Sequence, residues 1–425
     1  MKLYYISKIV ILVNNYLISC NFIKVKFHNK KECSSMSNQL KPYLDTIQYK
    51  LWEISDSLYH NPELGDQEFE SMGKLVAFLE EHDFVVETGI VNRPTAFKAV
   101  YDSKKEGPTI AYLSEYDALP GVGHGCGHNM IGTMSAGAGV LLSKLVDEVG
   151  GRVVVLGTPA EETNGAKVPM AEQGIFNDID VAMMLHPADE SYESGDSLAM
   201  DAIQFTYSGQ SSHAAASPEK GINALDAVIQ LFNGINAIRQ HVTSDVRIHG
   251  IIKEGGVAAN IVPDKAIAQF YVRANNRSYL DEVVQKVKNI AHGAALVTGA
   301  EVEISNYELS YDNMVTNQTL SELFTENLLA TGVKKVLKAK GSYGSIDMGN
   351  VSHVVPAIHP YIGLDSPGLV AHTKEFADIT ITENSHQILS KGVLALASTG
   401  YQLLTNKELF EKVVNEFQNH NQNHA

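Results

Sequence analysis

Three short runs constrain this chain most: Thr109–Ser114 (TIAYLS), Arg152–Gly157 (RVVVLG) and Asp180–Leu185 (DVAMML). Each is apolar through most of its length and lacks the polar alternation of a strand with one wet face. A strand of this kind needs cover on both faces, and helices supply it. Helical patterns surround the runs. Ile47, Leu51, Ile54 and Leu58 recur at helical spacing over Asp45–His60, and further helices are expected at Gln67–His82, Asn129–Leu145 and Val168–Gln173. Buried strands alternating with helices predict an α/β layer around a largely parallel central sheet.

The pattern changes after about residue 197. Asp201–Tyr207, Val246–Lys253 and Lys265–Arg273 alternate like half-exposed strands, with EGGVAANIVPD as a hairpin-like connection between the last two. Helices are expected at Ile222–Val242 and Tyr279–Thr298, and a last strand at Glu301–Leu309. The order β-α-β-β-α-β predicts a ferredoxin-like α+β unit. Its helices cover one sheet face, which leaves the other face or an edge for a second subunit. From residue 312 the α/β pattern returns, with helices at Leu320–Thr331 and Thr382–Thr405. The expected organisation is one discontinuous α/β domain, 36–197 and 312–405, interrupted by an α+β domain at 198–311. Residues 406–425 read as a polar tail.

Residues 1–35 are read as an extension outside the fold. The alternative is a lipoprotein leader: Lys2 and Lys8 precede IVILVNNYLIS, and Leu17–Cys20 resembles a lipidation site, though Asn14 and Asn15 break the apolar run. The chain has 425 residues, with 33 Lys+Arg against 49 Asp+Glu, a formal charge of −16. That charge argues against gripping nucleic acid or an anionic membrane. Of its three cysteines only Cys126 lies in the globular part, so no disulfide framework is expected and a reducing, cytoplasmic setting is.

Four clusters can carry chemistry, each after an expected strand or in a following loop, where open α/β sheets place ligands. Glu115-Tyr116-Asp117-Ala118-Leu119-Pro120 precedes Gly125-Cys126-Gly127-His128-Asn129, where thiol and imidazole are separated by one glycine at a helix start. Glu161 and Glu162 follow the strand VVVL, so one carboxylate can hold a metal while its neighbour handles a proton. His186 directly follows the third run, and His372 sits in GLVAHTKE. Alone, each has an ordinary alternative: a buried free thiol, an exposed acidic turn, a structural histidine, a loop histidine. Jointly they match a hydrolytic centre for a borderline-soft metal.

EYDALPGVGHGCGHN, GTPAEE, SSHAAASPEKGINALDA, GGVAANIVPD and GSIDMGNVSHVVP together resemble the zinc aminoacylase/carboxypeptidase family, metallopeptidase family M-twenty, in its amidohydrolase branch and nearest its dipeptidase-type members. The resemblance runs from about His60 to Leu404. It implies a zinc-peptidase-like domain with an inserted lid and dimerisation domain, and a homodimer that in some assemblies pairs into a tetramer. It implies Cys126, His128, Glu162, His186 and His372 as ligands of one or two divalent ions, zinc favoured and manganese the alternative. Glu161 would be the general base and acid, and Asp117 an orienting carboxylate. His213 would reach a neighbouring subunit's site and steady the oxyanion, while Asn260 and Arg273 would hold the substrate carboxylate. Two positions depart from the wider family: Glu115 stands where many relatives have a metal-binding His, and Asn129 where an Asp is common. The implied reaction cleaves the amide bond to a C-terminal amino acid, in a dipeptide or an N-acyl amino acid. An aminoacylase acting on N-acetyl or aryl-acyl amino acids is the near alternative, and a non-catalytic binding protein the distant one.

Overall fold

The computed structural model describes residues 30–339 and 344–424. Cys20 and the leader-like run before it lie outside the described residues. The chain opens with α1 (Lys30–His60) and α2 (Phe69–Glu80), then β1 (Val85–Thr88), β2 (Phe97–Asp102) and β3 (Thr109–Ser114). Next come α3 (His128–Val149), β4 (Arg152–Gly157), α4 (Glu161–Asn164), α5 (Lys167–Glu172), β5 (Val181–Met183) and β6 (His186–Ala188). The central sheet has the order β1-β2-β4-β3-β5-β11, where β11 is Ala357–Ile358. From β4 to β11 all neighbours are parallel, and the β1–β2 edge is antiparallel.

The unbroken apolar runs now have a physical account. Ile110 and Tyr112 of β3, with Val153 and Val155 of β4, enter one core layer. Ala111, Leu113, Val154 and Leu156 enter the layer on the opposite face. Every residue is wanted inside, so the two-residue period of the strand does not show as polar alternation. Small residues let α3 lie close on the sheet: a Cβ on Gly132 would come within 2.6 Å of the Glu115 carbonyl oxygen.

The run 180–185 divides. β5 stops at Met183, and His186 begins β6, which pairs in parallel with β12 (Tyr361–Gly363) as a separate two-stranded ribbon. Pro187 has no amide hydrogen to give a central strand, and a short ribbon tolerates it.

The insertion comprises β7 (Ala199–Ser208), α6 (Ala224–Ile238), β8 (Arg247–Glu254), β9 (Lys265–Ala274), α7 (Arg277–Thr298) and β10 (Glu301–Asn306). Its antiparallel sheet has the order β10-β7-β9-β8. Ala266, Ala268, Phe270, Val272 and Ala274 of β9 are buried in the core shared with both helices, while Gln269, Tyr271 and Arg273 face the other side. Asn223 and Asn276 cap the two helices through side chains that accept from Leu225 N and Tyr279 N.

After the insertion come α8 (Gln318–Ala330), α9 (Met348–Ser352), then β11 and β12, α10 (Lys374–Ile379), α11 (Glu383–Thr405) and α12 (Lys407–His424). The helix α1 begins at Lys30, since neither Gly nor Pro between Lys30 and Leu40 stops it. One boundary expectation is corrected here. Residues 407–424 form a docked helix, not a loose polar tail. Leu409 and Val413, one turn apart, are buried in the main core. Glu416 accepts the Gln318 and Thr319 amides at 2.5 and 3.0 Å, which satisfies the open start of α8. Among the described residues no helix is long and apolar enough to cross a membrane.

Candidate metal centre

Four chain segments converge beyond the ends of β3, β4 and β6. The first is the loop from β3 into α3. Gly127 adopts a left-handed conformation (φ 77°) and puts His128 at the start of α3. A Cβ there would meet Pro187 Cγ at 2.9 Å, so glycine lets this turn approach β6. The second is the turn after β4, where Ala160 has φ 63° and launches Glu161 and Glu162 as the first residues of α4. Glu68, buried under this turn, accepts the Ala160 amide at 2.9 Å and the Thr95 hydroxyl at 2.9 Å. The third is His186, first residue of β6. The fourth is the loop carrying His372, whose amide donates to Gly125 O at 2.9 Å.

Three donor sets result, each with its ligand atoms within 4.8 Å of one another: Cys126, His128 and His186; Cys126, Glu162 and His372; His128, Glu161 and Glu162. All five expected ligands are therefore together, and Cys126 belongs to two sets. His372 Nε2 lies 3.4 Å from Glu162 Oε1, and His128 Nε2 lies 4.0 Å from Glu161 Oε2.

Asp117 sits behind His128. Its Oδ1 accepts from His128 Nδ1 at 3.0 Å and its Oδ2 accepts from the Glu162 amide at 3.0 Å. One carboxylate thus fixes the ring of one donor and the backbone of another. His186 Nδ1 donates to Pro187 O at 2.6 Å, which turns its other nitrogen outward as a lone pair. Burial and the neighbouring His359 push the His186 pKa down to about 3, so the ring is neutral and ready to ligate.

The electrostatics suit a cation. Burial, then Glu115 and Asp347, hold the Glu161 carboxyl well above the usual carboxylate range. Burial pushes the Cys126 thiol up to about 12. Burial disfavours charge on His128, yet Asp117 and Glu115 hold it well above the ordinary histidine range. Protons therefore occupy the centre when no metal does. His128 Nε2 and Glu162 Oε1 are buried without a hydrogen-bond partner. Thiol, imidazole and carboxylate donors with unsatisfied inward atoms fit divalent ions of the zinc type.

Several site residues carry no sequence signal. Lys167 is wholly buried and donates to Glu115 Oε1 at 2.6 Å and Asp347 Oδ1 at 2.7 Å. Nothing in VPMAEQG announces that its neighbouring lysine is internal. Tyr311 Oη donates to Glu161 O and accepts from the Gly165 amide. His359, buried beside His186 with ring centroids 5.5 Å apart, was not among the expected site residues. A Pro-flanked histidine run, VSHVVPAIHP, is the signal that could have found it.

The expected substrate residues are placed differently. Arg273 projects from the open face of β9, and its Nη1 donates to Ser345 Oγ at 3.2 Å, across to the loop that carries Asp347. His213 and Asn260 are exposed and belong to none of the three donor sets. They lie together instead: the Ala214 amide donates to Asn260 O at 3.0 Å, and His213 bridges to Ile261.

A family model described as Peptidase family M20/M25/M40 matches residues 111–395. The Xaa-Arg dipeptidase of Mus musculus is 34% identical over 389 residues, covering 88% of this chain and 90% of the mouse protein. A subunit of the p-aminobenzoyl-glutamate hydrolase of Escherichia coli (strain K12) is 33% identical over 297 residues, covering 65% of this chain and 61% of its own. A Bacillus subtilis crystal structure, described as a dinuclear metal binding peptidase, superposes with a TM-score of 0.60 at 20% identity, covering 83% of this chain and 99% of its own.

Proposed function

Since the chain belongs to peptidase family M20/M25/M40, and its relatives are amide-bond hydrolases, we propose that it is a two-metal dipeptidase releasing a C-terminal amino acid that keeps its free carboxylate. The observation that carries this is the sharing of Cys126 between two donor sets, which gives each of two ions its own histidine: His186 and His128 on one side, His372 on the other.

Cys126, His128, Glu162, His186 and His372 would hold divalent ions, zinc in first place and manganese as the alternative. When bound, such ions polarise an amide carbonyl and acidify a water molecule. The chain's own groups do the rest. Glu161, at 4.0 Å from His128 Nε2, takes the proton of the attacking water and passes it to the leaving amine. Asp117 keeps His128 aligned throughout. Arg273 presents a planar donor fork to the carboxylate of the leaving amino acid, and Asn260, which lies beside His213, would join it from the partner subunit.

His213 is preset as a hydrogen-bond donor. Its Nδ1 accepts from the Ala215 and Ala216 amides, both at 3.2 Å. With Nδ1 accepting, Nε2 is the ring nitrogen left to donate to a developing oxyanion. One such donor contributes roughly 3–4 kcal/mol to the transition state. Because His213 belongs to none of its own chain's donor sets, we assign it to the centre of a partner subunit. The β8 edge, with Ile251 60% and Ile252 45% exposed, is the surface through which two insertions would pair.

Similarity to the mouse dipeptidase favours dipeptides ending in a basic residue, and similarity to the Escherichia coli hydrolase keeps aryl-acyl amino acids as the second substrate class. The test is release of free amino acid from a panel of Xaa-Arg, Xaa-Lys and β-alanyl dipeptides, N-acetyl amino acids and p-aminobenzoyl-glutamate, with chelator and metal add-back. Chelator-sensitive release, greatest for basic dipeptides, is expected. Release from N-acyl amino acids alone would replace the dipeptidase assignment. No release from folded, metal-loaded protein would overturn it.

A further inference from the structure

One carboxylate near Arg273 has no role in the reaction just described. Tyr271 and Arg273 are two residues apart on β9, so both side chains stand on the helix-free face of the insertion's sheet. Arg273 Cζ lies 5.5 Å from the centre of the Tyr271 ring. Past the end of β10 the chain runs through Tyr307 and Glu308 to Tyr311. The Tyr307 amide donates to Ala202 O at 3.1 Å, and on β7 Ala202 is paired with Tyr271. The Tyr271 and Tyr307 rings meet edge to face, with centroids 5.6 Å apart. The Tyr271 hydroxyl spans both oxygens of half-buried Glu308, at 2.7 and 2.8 Å.

This group borders the metal centre of its own chain. Tyr271 and Leu309 pack against Val168, Met200 and Tyr311. Tyr311 Oη in turn donates to Glu161 O at 3.2 Å. Arg273 reaches Ser345, on the loop that carries Asp347. An amino acid whose carboxylate lies on Arg273 therefore has Tyr271, Tyr307 and Glu308 as neighbours of its side chain. Glu308 has acceptor capacity to spare, since a carboxylate offers about four lone-pair positions and a hydroxyl has one proton to give. Tyr271 fixes the carboxylate without neutralising it. A fixed carboxylate between aromatic rings suits a guanidinium or ammonium, which finds ring faces for its charge and an anionic acceptor for its N–H groups.

We propose that Glu308 determines specificity for the leaving amino acid: it accepts the cationic group of a basic side chain while Arg273 takes the carboxylate, and Tyr271 positions it. This rests on the amide-hydrolase reading above and deepens it, because it separates the two substrate classes. A C-terminal arginine or lysine carries charges of opposite sign at its two ends, matched by Arg273 and Glu308. A C-terminal glutamate brings a second carboxylate against Glu308, and like charge rejects it.

The test measures kcat and KM of the metal-loaded protein for three alanyl dipeptides, ending in arginine, methionine and glutamate. Glu308→Gln keeps an acceptor for Tyr271 and removes the charge. It is expected to lower the arginine-to-methionine ratio of kcat/KM by roughly 10–100-fold, the worth of one hydrogen bond to a charged group, with the loss in KM. Glu308→Lys should place glutamate above arginine. Tyr271→Phe keeps the ring and the Glu308 charge, so it should lower the ratio less than Glu308→Gln does. Unfolding midpoints show whether each variant keeps its fold. An equal fall for all three dipeptides in Glu308→Gln would overturn the proposal, since Glu308 would then act only by holding its neighbours. Wild-type ratios in both Glu308 variants would overturn it as well. A wild type that cleaves all three without preferring arginine would overturn the assignment to Glu308 and leave amide hydrolysis standing. A folded, metal-loaded wild type that cleaves none of them, nor any other amide of the panel above, would overturn the reading on which it rests.

Discussion

Glu161 and Glu162 are adjacent in sequence, and the proposed reading gives them opposite tasks according to where each oxygen points. Glu162 Oε1 faces His372 at 3.4 Å, while Glu161 Oε2 lies on the His128 side. Replacing Glu161 by Gln should leave metal content and KM near wild type and lower kcat by roughly 10²–10⁴-fold, the usual worth of a positioned base. Near-wild-type turnover would remove Glu161 from the proton-transfer role. Cys126 makes a second claim at this scale. Burial pushes its thiol up to about 12, so at neutral pH it carries a proton until an ion displaces it. Zinc binding to metal-free protein should release at least one proton and tighten as pH rises. Calorimetric titration in buffers of different ionisation enthalpy reads this directly, and a buffer-independent enthalpy would count against thiolate ligation. That these residues come together was legible because glycines and acidic pairs at strand ends stand out in a sequence. Lys167 was not legible: burial of a lysine depends on Glu115 and Asp347, which lie 52 and 180 residues away in the chain.

At the scale of elements, α4 is short and begins at a residue with positive φ, so something outside it must hold its direction. Glu68 does so by accepting the Ala160 amide. Its carboxyl is raised from 4.5 to about 7, chiefly by burial, with Asp117 adding to the shift. A carboxyl raised in the folded state binds more protons folded than unfolded between those two values. Stability therefore falls as pH rises from about 4.5 to about 7, and the contribution is flat above that. The loss is on the order of 3 kcal/mol for a shift of this size. In metal-free protein, Glu68→Gln should gain stability relative to wild type as pH goes from about 5 to about 8. Denaturant unfolding at several pH values would show it, and parallel curves would reject it. The strands β3, β4 and β5 were foreseen from their apolar runs, and the β-α-β-β-α-β insertion from its alternation. The division of the run 180–185 was not, because it depends on β12 arriving from residues 361–363 to pair with His186. The helix α12 was missed because its polar composition hides two apolar residues one turn apart, Leu409 and Val413, and their burial is decided by α8 and α11.

For the whole molecule the question is which centre the insertion serves. The donor sets are complete within one chain, yet His213 and Asn260, on exposed loops of the insertion, belong to none of them. The insertion's sheet leaves β8 as an edge, and Gln269, Tyr271 and Arg273 line its helix-free face. In the proposed reading His213 is an oxyanion donor that belongs to none of its own chain's donor sets. Pairing two chains through the insertion resolves this if each His213 serves the partner. The consequence is specific. Glu161→Gln and His213→Ala homodimers should each be nearly inactive. Mixed under conditions that exchange subunits, they form hybrids in which one centre keeps both an intact Glu161 and an intact His213. At equal amounts, half the dimers are hybrids with one working centre of two, so about a quarter of wild-type activity should return. Each centre would draw its base from one chain and its oxyanion donor from the other, and no rearrangement within either mutant chain could imitate that. Persistent inactivity after exchange is proven by mass would place His213 in service of its own chain, through a closing movement of the insertion instead of a shared site.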